Sequence, residues 1–484
     1  MATKKQSTNS YRHVLKYTGL FGGVQVFNIL VGLVRNKFVA VLLGPMGMGL
    51  VTLLNTSMSF ISQATSLGVS FSAIRRISEL HDKGDAAELE HYIAIVRKWS
   101  LVAAVLGAVV CIAAGPLLNY ISFSWGDHTL HFVLLAPAVA MTALCGGELA
   151  ILKGTQRLKE LAYIQVLVSL LSLIVTIPLY YQFNYKAIVP VISLIALINF
   201  LPAFVVSCRH HPYRVRSVGG FLTEGRPMVK MGVAFTFAAA FSSGSDMLVR
   251  ALLNQVADLH VVGLYNAAYM ITITYSSMVF SSMESDFFPR LSAVNRNNAA
   301  VSGVVNRQME VSLLLISPML CGLIVFLPII IPLLLSSEFI PVVAMAQMTT
   351  LAMFFKAMSL PMAYVNLAKA NSRVYLLFES FYAVMFVVFV VAAFQLYGLP
   401  GAGFAVVAAH VVEYVLLLAY LWMFHSFRMS TKSLLMVAVH LPLLVAIYAS
   451  SQCLSGCSYW LVGMLLTAIS STYSLYRLKR MRKT

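Results

Sequence analysis

The stretch LVRNKFVAVLLGPMGMGL, residues Leu33–Leu50, carries two cations inside an apolar run and then ends that run in a turn rich in glycine and proline. A charge at the centre of a membrane helix costs about 2.5–3.5 kcal/mol on insertion scales, so such a residue normally faces protein or water rather than lipid. The stretch therefore predicts a membrane helix that contains Arg35 and Lys37, followed by an outer turn at Gly44–Gly49.

The rest of the chain is equally apolar. Of its 484 residues, 60% are hydrophobic and only 11% are charged, whereas soluble domains carry about 25% charged residues. Hydrophobic runs recur from end to end, and they reach the length of about 20 residues that crosses a bilayer core. We predict an all-α integral membrane protein with about fourteen spans, which run roughly 15–43, 48–73, 99–121, 129–152, 161–182, 186–207, 229–256, 261–288, 309–334, 341–366, 373–395, 400–425, 432–450 and 457–476.

The positive charges follow the predicted topology. The net charge of +17 is carried mainly by loops after even-numbered spans and by the C-terminal tail, whereas loops after odd-numbered spans hold one cation, Lys186. By the positive-inside rule, this pattern predicts that both termini are cytoplasmic. The charge is thus explained by topology, and no nucleic-acid partner is expected. The first 16 residues are polar and basic, so we expect no cleavable signal peptide.

An internal repeat is visible at a shift of about 215 residues. The tripeptide LVR at Leu33–Arg35 recurs at Leu248–Arg250, and LKGTQR at Leu152–Arg157 aligns with AKANSR at Ala368–Arg373. Six spans separate the copies, so both copies have the same orientation in the membrane. The predicted domains are an N-lobe at 1–215, a C-lobe at 216–428, and an extra helix pair with a basic tail at 429–484.

Four cations inside spans are the candidate substrate-binding residues, namely Arg35, Lys37, Arg250 and Lys356. An arginine fork suits the paired oxygens of phosphate and pyrophosphate. Two alternatives stay open at this point. Arg250 lies four residues after Asp246, so the two can form an ion pair on one helix face. Lys37 can instead extend its ammonium group to the membrane interface.

Buried carboxylates are the candidates for ion coupling. We favour Asp246 as a site linked to H⁺ or Na⁺, because it lies deep in a span. The other carboxylates inside or near the ends of spans are Glu148, Glu284, Asp286, Glu379 and Glu413. Glu148 and Glu379 lie near inner turns, where their expected role is to orient helices.

Soluble-enzyme motifs such as a P-loop, GxSxG or HExxH do not occur in the sequence. We therefore expect no catalytic residues, no metal site and no cofactor beyond a coupling ion. The eleven histidines are scattered, and His210–His211 is interpreted as a solvated surface pair. The six cysteines are interpreted as small apolar residues, although Cys453 and Cys457 flank an outer turn where they could form a disulfide bond.

Four short motifs carry a family resemblance: GPxGxG at Gly44–Gly49, the turn Lys153–Gly154, FPRLS at Phe288–Ser292 and AKANSRVYLLFES at Ala368–Ser380. With the topology and the repeat, the chain resembles the O-antigen translocases, or Wzx-type flippases, and especially the lipid III flippases. These belong to the polysaccharide-transport branch of the superfamily, MOP, that also holds the MATE exporters. The resemblance covers roughly residues 15–425.

The resemblance implies a V-shaped bundle of two six-helix lobes around a cationic cavity. It implies movement of undecaprenyl-pyrophosphate-linked oligosaccharides across the bacterial inner membrane by alternating access, driven by an ion gradient. Arg35 and Arg250 match the family's cavity cations. The expected partners are the lipid-linked substrate and membrane lipid, with polysaccharide polymerase machinery as a further candidate, and the expected form is a monomer. Spans 13 and 14 depart from the twelve-span pattern.

Three rival interpretations remain open. A MATE-like exporter of drugs or cations would share the fold but would need an acidic cavity. A membrane polysaccharide polymerase or ligase would need a long outer loop for catalysis, and the predicted outer loops are all short. A membrane protein that has kept the fold and lost transport is a third alternative.

Overall fold

The computed structural model describes residues 2–123, 127–213, 221–274, 276, 280, 287–369 and 371–481. All regular structure in these ranges is helical, which confirms the predicted all-α class. The α-helices are α1 (Ala2–Thr65), α2 (Val69–Lys83), α3 (Ala86–Ser122), α4 (Thr129–Gly154), α5 (Leu158–Phe183), α6 (Ile188–His210), α7 (Phe221–Val256), α8 (Leu259–Tyr269), α9 (Asn298–Leu334), α10 (Val343–Ala368), α11 (Ser372–His425), α12 (Thr431–Cys453) and α13 (Gly456–Met481).

Two of these helices contain a sharp break at a glycine. In α1 the backbone of Gly44 adopts φ 62° and ψ −172°, and in α11 that of Gly398 adopts φ 64° and ψ −149°. Positive φ is readily accessible to glycine because it lacks a Cβ atom. Pro45 then begins the second half of α1, where its missing N–H costs nothing. The predicted turn at Gly44–Gly49 is therefore a one-residue break between two helical segments.

Eight apolar segments are long enough to cross a membrane among the described residues. Three of them are 43 or 53 residues long: Gly23–Thr65, Leu158–His210 and Arg373–His425. Since about 20 helical residues span the hydrocarbon core, each of these three can hold two crossings. The protein is a multi-pass membrane protein, as the composition predicts.

The chain forms two compact units, Met1–Gln255 and Val256–Thr484. The first unit contains α1 to α7, although the repeat assigns the span in α7 to the second copy. The compact units are defined by contacts between residues, whereas the repeat is defined by sequence similarity, so the two divisions need not coincide. The predicted domain boundaries at 215 and 428 therefore stay a prediction.

In the first unit, α7 crosses the end of α1 at very short range. The backbones of Gly68 and Gly232 approach so closely that a Cβ atom on either would overlap the other chain segment. Next to this crossing, the hydroxyls of Ser66 and Thr236 lie 3.3 Å apart. The ring of Phe60 packs against Gly244 further along both helices. These contacts set α1 and α7 side by side.

In the second unit, α12 and α13 pack on α9 through buried polar groups. Ser430 and Ser433 at the start of α12 donate to Glu310 Oε1 at 2.7 and 3.3 Å. Tyr459 of α13 donates to the carbonyl of Val325 in α9 at 2.7 Å. Side-chain hydrogen bonds thus join α9 to both α12 and α13, which correspond to the predicted spans 13 and 14.

Candidate functional site

Arg35 and Lys37 lie on different faces of α1, and both side chains are half-buried. Arg35 is seven residues after Asn28, so the two share a face. On that face Asn28 Oδ1 accepts a 2.6 Å hydrogen bond from Ser169 of α5, and Tyr180 of α5 lies within electrostatic reach of Arg35. Lys37 is seven residues after Leu30, which belongs to an exposed apolar stripe. These positions favour Arg35 over Lys37 as a residue that lines the predicted substrate cavity.

The second half of α1 carries a polar stripe within a segment that is long and apolar enough to cross a membrane. Its members fall on one helix face by the helical period, and they are Thr52, Asn55, Thr56, Ser59 and Gln63 of α1 with Ser66 directly after its end. Ser59 and Gln63 are exposed and the other four are half-buried. Small polar residues in membrane helices often bond to their own backbone, as Thr52, Asn55 and Thr56 do here, but Ser59 and Gln63 leave polar groups exposed. We interpret the stripe as a candidate lining of a polar path in the first unit.

Helix α7 continues this polar wall beside α1. Ser242, Ser245 and Asp246 share one face of α7, with Ser242 exposed and the other two half-buried. They lie next to Gly244, the residue against which Phe60 of α1 packs. The combined surface, defined as the five α1 residues, Ser66 and these three α7 residues, is called the polar wall below. It presents hydroxyl and amide groups and a single carboxylate.

Arg250 lies one turn beyond Asp246 and is bound to it. Its Nη1 atom donates to the Asp246 carbonyl at 2.8 Å and to Oδ1 at 3.3 Å. The Arg250 side chain is 5% exposed, whereas that of Asp246 is 37% exposed. The ion-pair alternative left open by the sequence is therefore present in the structure. Arg250 is a buried, partly neutralised cation, and Asp246 is the more exposed member of the pair.

Lys356 lies in the second unit, on α10, in a different environment. Its Nζ atom is 3.5 Å from Glu413 Oε1 and 5.7 Å from the centre of the Tyr382 ring. Of the four predicted cations, Arg35, Lys37 and Arg250 thus belong to the first unit and Lys356 to the second. The assignment of all four to one substrate cavity stays a prediction.

The other predicted carboxylates have separate surroundings. Glu148 forms a buried ion pair with Arg97, in agreement with a helix-orienting role. Glu379 and Glu413 line a small cavity in the second unit. Glu284 and Asp286 fall outside the described residues.

The histidine prediction needs one correction. His211 is not a solvated residue, because its Nδ1 atom lies 2.6 Å from Glu90 Oε1 and its side chain is 12% exposed. His210 lies 3.6 Å from Glu160 in a more open pair. Within the described part of the chain, no cluster of three or more metal-ligating residues occurs.

The polar wall was missed by reasoning from charged residues alone. The signal is present in the run TLLNTSMSFISQATS, Thr52–Ser66, where small polar residues recur at helical spacing within an otherwise apolar chain. Such residues are individually common in membrane helices and often bond to their own backbone, as Thr52 does to the Met48 carbonyl at 2.8 Å. Their shared face and exposure are what distinguish this stripe.

Comparison with known proteins gives one family match and several matches of fold. The family described as polysaccharide biosynthesis protein matches residues 38–344. No curated protein sequence matches the chain.

Among solved structures, an inward-facing multidrug resistance MATE family transporter of the MOP superfamily superposes with a TM-score of 0.70 at 15% identity, covering 82% of this chain and 94% of that one. The lipid II flippase MurJ, in an inward closed conformation, has a TM-score of 0.64 at 16% identity and covers 95% of this chain and 99% of its own. A MOP superfamily transporter from Pyrococcus furiosus, described by the reverse polarity of its binding pocket, has a TM-score of 0.60 at 16% identity, with 84% and 93% covered. At this level of identity the matches show a shared MOP superfamily fold.

Proposed function

Since the chain belongs to the family of polysaccharide biosynthesis proteins, we propose that it is a flippase for an undecaprenyl-pyrophosphate-linked oligosaccharide. The cargo is an O-antigen unit or a related surface-polysaccharide unit. It crosses the bacterial inner membrane by alternating access coupled to an ion gradient, and both termini of the protein are cytoplasmic. The protein supplies binding and a shielded path rather than catalysis, and it hands its product to polysaccharide polymerase machinery.

The observation that carries this proposal is the polar wall. An oligosaccharide has many hydroxyl groups, and each loses hydrogen bonds to water when it enters about 30 Å of hydrocarbon. The hydroxyl and amide groups of Thr52, Asn55, Ser59, Gln63 and Ser242 can replace those bonds, directly or through water. The polyprenyl tail needs no such replacement and can stay in lipid.

Arg35 supplies the charge that the cargo requires. A pyrophosphate group carries negative charge that is costly to remove from water, and an arginine fork binds its paired oxygens with good geometry. Arg35 lies in the first half of α1, and the polar wall begins in the second half, past the break at Gly44. We propose that Arg35 binds the pyrophosphate group and that the polar wall contacts the glycan.

The test is flipping of a labelled lipid-linked oligosaccharide by purified protein in liposomes. We expect the double variant S59L/Q63L to lower the initial rate by about tenfold or more, equivalent to about 1.4 kcal/mol. The matched control is Thr142→Leu, since Thr142 is an exposed hydroxyl on α4 that already bonds to the Ala138 carbonyl at 2.8 Å. Normal flipping by a folded S59L/Q63L protein would remove the polar wall from the proposal.

A second series tests the charge. Arg35→Ala should abolish most flipping, whereas Arg35→Lys should keep part of it because the charge remains and the fork is lost. Retained flipping in the R35A/R250A variant would contradict a cationic path. Transport of cationic drugs without any flipping would favour the MATE-like alternative, and elongation of a lipid-linked glycan by the purified protein would favour a polymerase.

A further inference from the structure

A largely buried cluster of charged and polar side chains lies inside the second unit. Lys356 of α10 faces Glu413 at 3.5 Å and the Tyr382 ring at 5.7 Å. The hydroxyl of Tyr382 lies 3.3 Å from Nδ1 of His410. Because α11 breaks at Gly398, Glu379 and Tyr382 in its first segment come beside His410 and Glu413 in its second.

The cluster borders a small cavity with unsatisfied polar atoms. Glu379, Tyr382, Glu413 and Asn366 line it, and its centre offers about 10 Å³ of space, enough for one water molecule. Asn366 is 1% exposed, and neither its side-chain oxygen nor its nitrogen has a hydrogen-bond partner among the described residues. The same holds for Glu413 Oε2, on a side chain that is 10% exposed. Buried polar atoms are normally bonded, so a small polar species is expected here.

Among the described residues, the charges of the cluster do not balance. Two carboxylates, Glu379 and Glu413, face one ammonium group, that of Lys356, and the two carboxylates lie within electrostatic reach of each other. A net negative charge at this depth is expensive in a medium of low dielectric constant. One further positive charge would neutralise the cluster, and it can be either a proton or a metal cation.

The geometry favours a proton. The ammonium group of Lys356 stands 3.5 Å from Glu413 Oε1 and repels a second cation beside that carboxylate. A proton bound to a carboxylate oxygen leaves no cation behind. The ammonium group of Lys356 also lies within electrostatic reach of the His410 imidazole. Of the described residues, the other titratable groups that face the cluster are the tyrosines Tyr265 and Tyr269 of α8 and Tyr375 of α11.

We propose that Glu379 and Glu413 bind one exchangeable proton, with Lys356 as its fixed counter-ion and Asn366 holding a water molecule in the cavity. The step is a reversible protonation. An O–H bond forms on one carboxylate oxygen with a proton taken from water in one compartment, and the same bond breaks when the proton leaves to the other. This inference rests on the proposed function only for its consequence, namely that the proton gradient drives flipping through the second unit.

Infrared difference spectroscopy of the purified protein in lipid tests the site without any substrate. A pH titration should show a protonated carboxyl band that is lost in E413Q or in E379Q. The matched control is E310Q, because Glu310 is a buried carboxylate of the same unit whose Oε1 atom already accepts bonds from Ser430 and Ser433. If E310Q loses the band, or both E413Q and E379Q keep it, the proposal is wrong. The use of two variants guards against one of them failing to fold.

Two further arms complete the test. Lys356→Met removes the counter-ion, so the band should persist to a pH at least about one unit higher, a tenfold change in proton affinity. An unchanged midpoint would contradict the role of Lys356. Replacing potassium by sodium at constant pH should leave the band unaltered, and its loss would identify a sodium site instead. The spectroscopic measurement contains no lipid-linked sugar, so a failed flipping assay would not affect its result. Absence of the carboxyl band would rule out the proton site even if the protein flips its substrate.

Discussion

Arg97 and Glu148 form a buried, bidentate ion pair that joins α3 to α4. Arg97 Nε and Nη2 donate to the two Glu148 oxygens at 2.9 and 3.2 Å, and the side chains are 7% and 6% exposed. Nη1 also donates to the His211 carbonyl at 2.9 Å, which ties the end of α6 to the pair. The pair is therefore a structural junction of the first unit.

Glu148→Gln should destabilise the first unit strongly. Removing one member of a buried pair leaves an uncompensated charge and costs about 3–5 kcal/mol. Thermal unfolding in detergent measures the effect, and a cost within error of zero would contradict it.

The exposed pair Arg75–Glu79, at 3.0 Å, is the control for that measurement. A hydrogen bond from Arg75 holds the pKa of Glu79 below its usual 4.5. Because the pKa of Glu79 is lower in the folded protein than in the unfolded chain, its ionised form stabilises the folded state at pH values above the pKa of the unfolded chain. This contribution is lost as the pH falls through the pKa of the folded state. Because the pair is solvent-exposed, Glu79→Gln should leave thermal unfolding at neutral pH unchanged within error.

Gly68→Ala should be among the most damaging alanine substitutions in the chain. Gly68 has φ +63°, and a Cβ atom there would overlap the backbone of Gly232. Two controls separate the causes. Gly84 has φ +74° and open space, so Gly84→Ala should cost only the strain of about 1–2 kcal/mol. Gly303 is helical with open space, so Gly303→Ala should be neutral or stabilising by up to about 1 kcal/mol. Equal stability of G68A and G84A would argue against the close approach.

Asp246→Asn should impair gradient-driven flipping while substrate binding stays largely intact. The carboxylate is the one charged group in the polar wall, and it also forms an ion pair with Arg250 at 3.3 Å. The double variant D246N/R250M separates these roles. If Asp246 serves only as a counter-ion, the double variant should recover flipping, because no buried charge is left unpaired. An unchanged dependence on both proton and sodium gradients in D246N would remove Asp246 from coupling.

Cys453 and Cys457 should react with a membrane-impermeant maleimide added to the outside of intact cells. Both are free and exposed, at the end of α12 and the start of α13, whereas Cys111, Cys145 and Cys321 are buried. The predicted topology places this turn outside. Labelling only after the membrane is permeabilised would invert the topology, and labelling only after reduction would show that the two cysteines form a disulfide bond.

Much of this protein could be predicted from its sequence alone. Hydrocarbon accepts only backbone whose hydrogen bonds are satisfied internally, so the apolar runs require helices. The charge of short loops sets their orientation. The interruption at Gly44 could also be predicted, because glycine readily adopts positive φ and proline favours the first position of a helix.

Only the tertiary structure decided what each charged residue faces. Arg250 and Arg35 occupy equivalent repeat positions, yet Arg250 is held by Asp246 four residues away and Arg35 faces α5. Glu413 and Glu379 lie 34 positions apart in sequence and share one cavity because α11 bends at Gly398. The burial and pairing of a charged side chain depend on which helices pack together. These long-range contacts cannot be predicted from the spacing of apolar residues within one helix. The sequence therefore determined the helices, and the packing determined which charges are paired and buried.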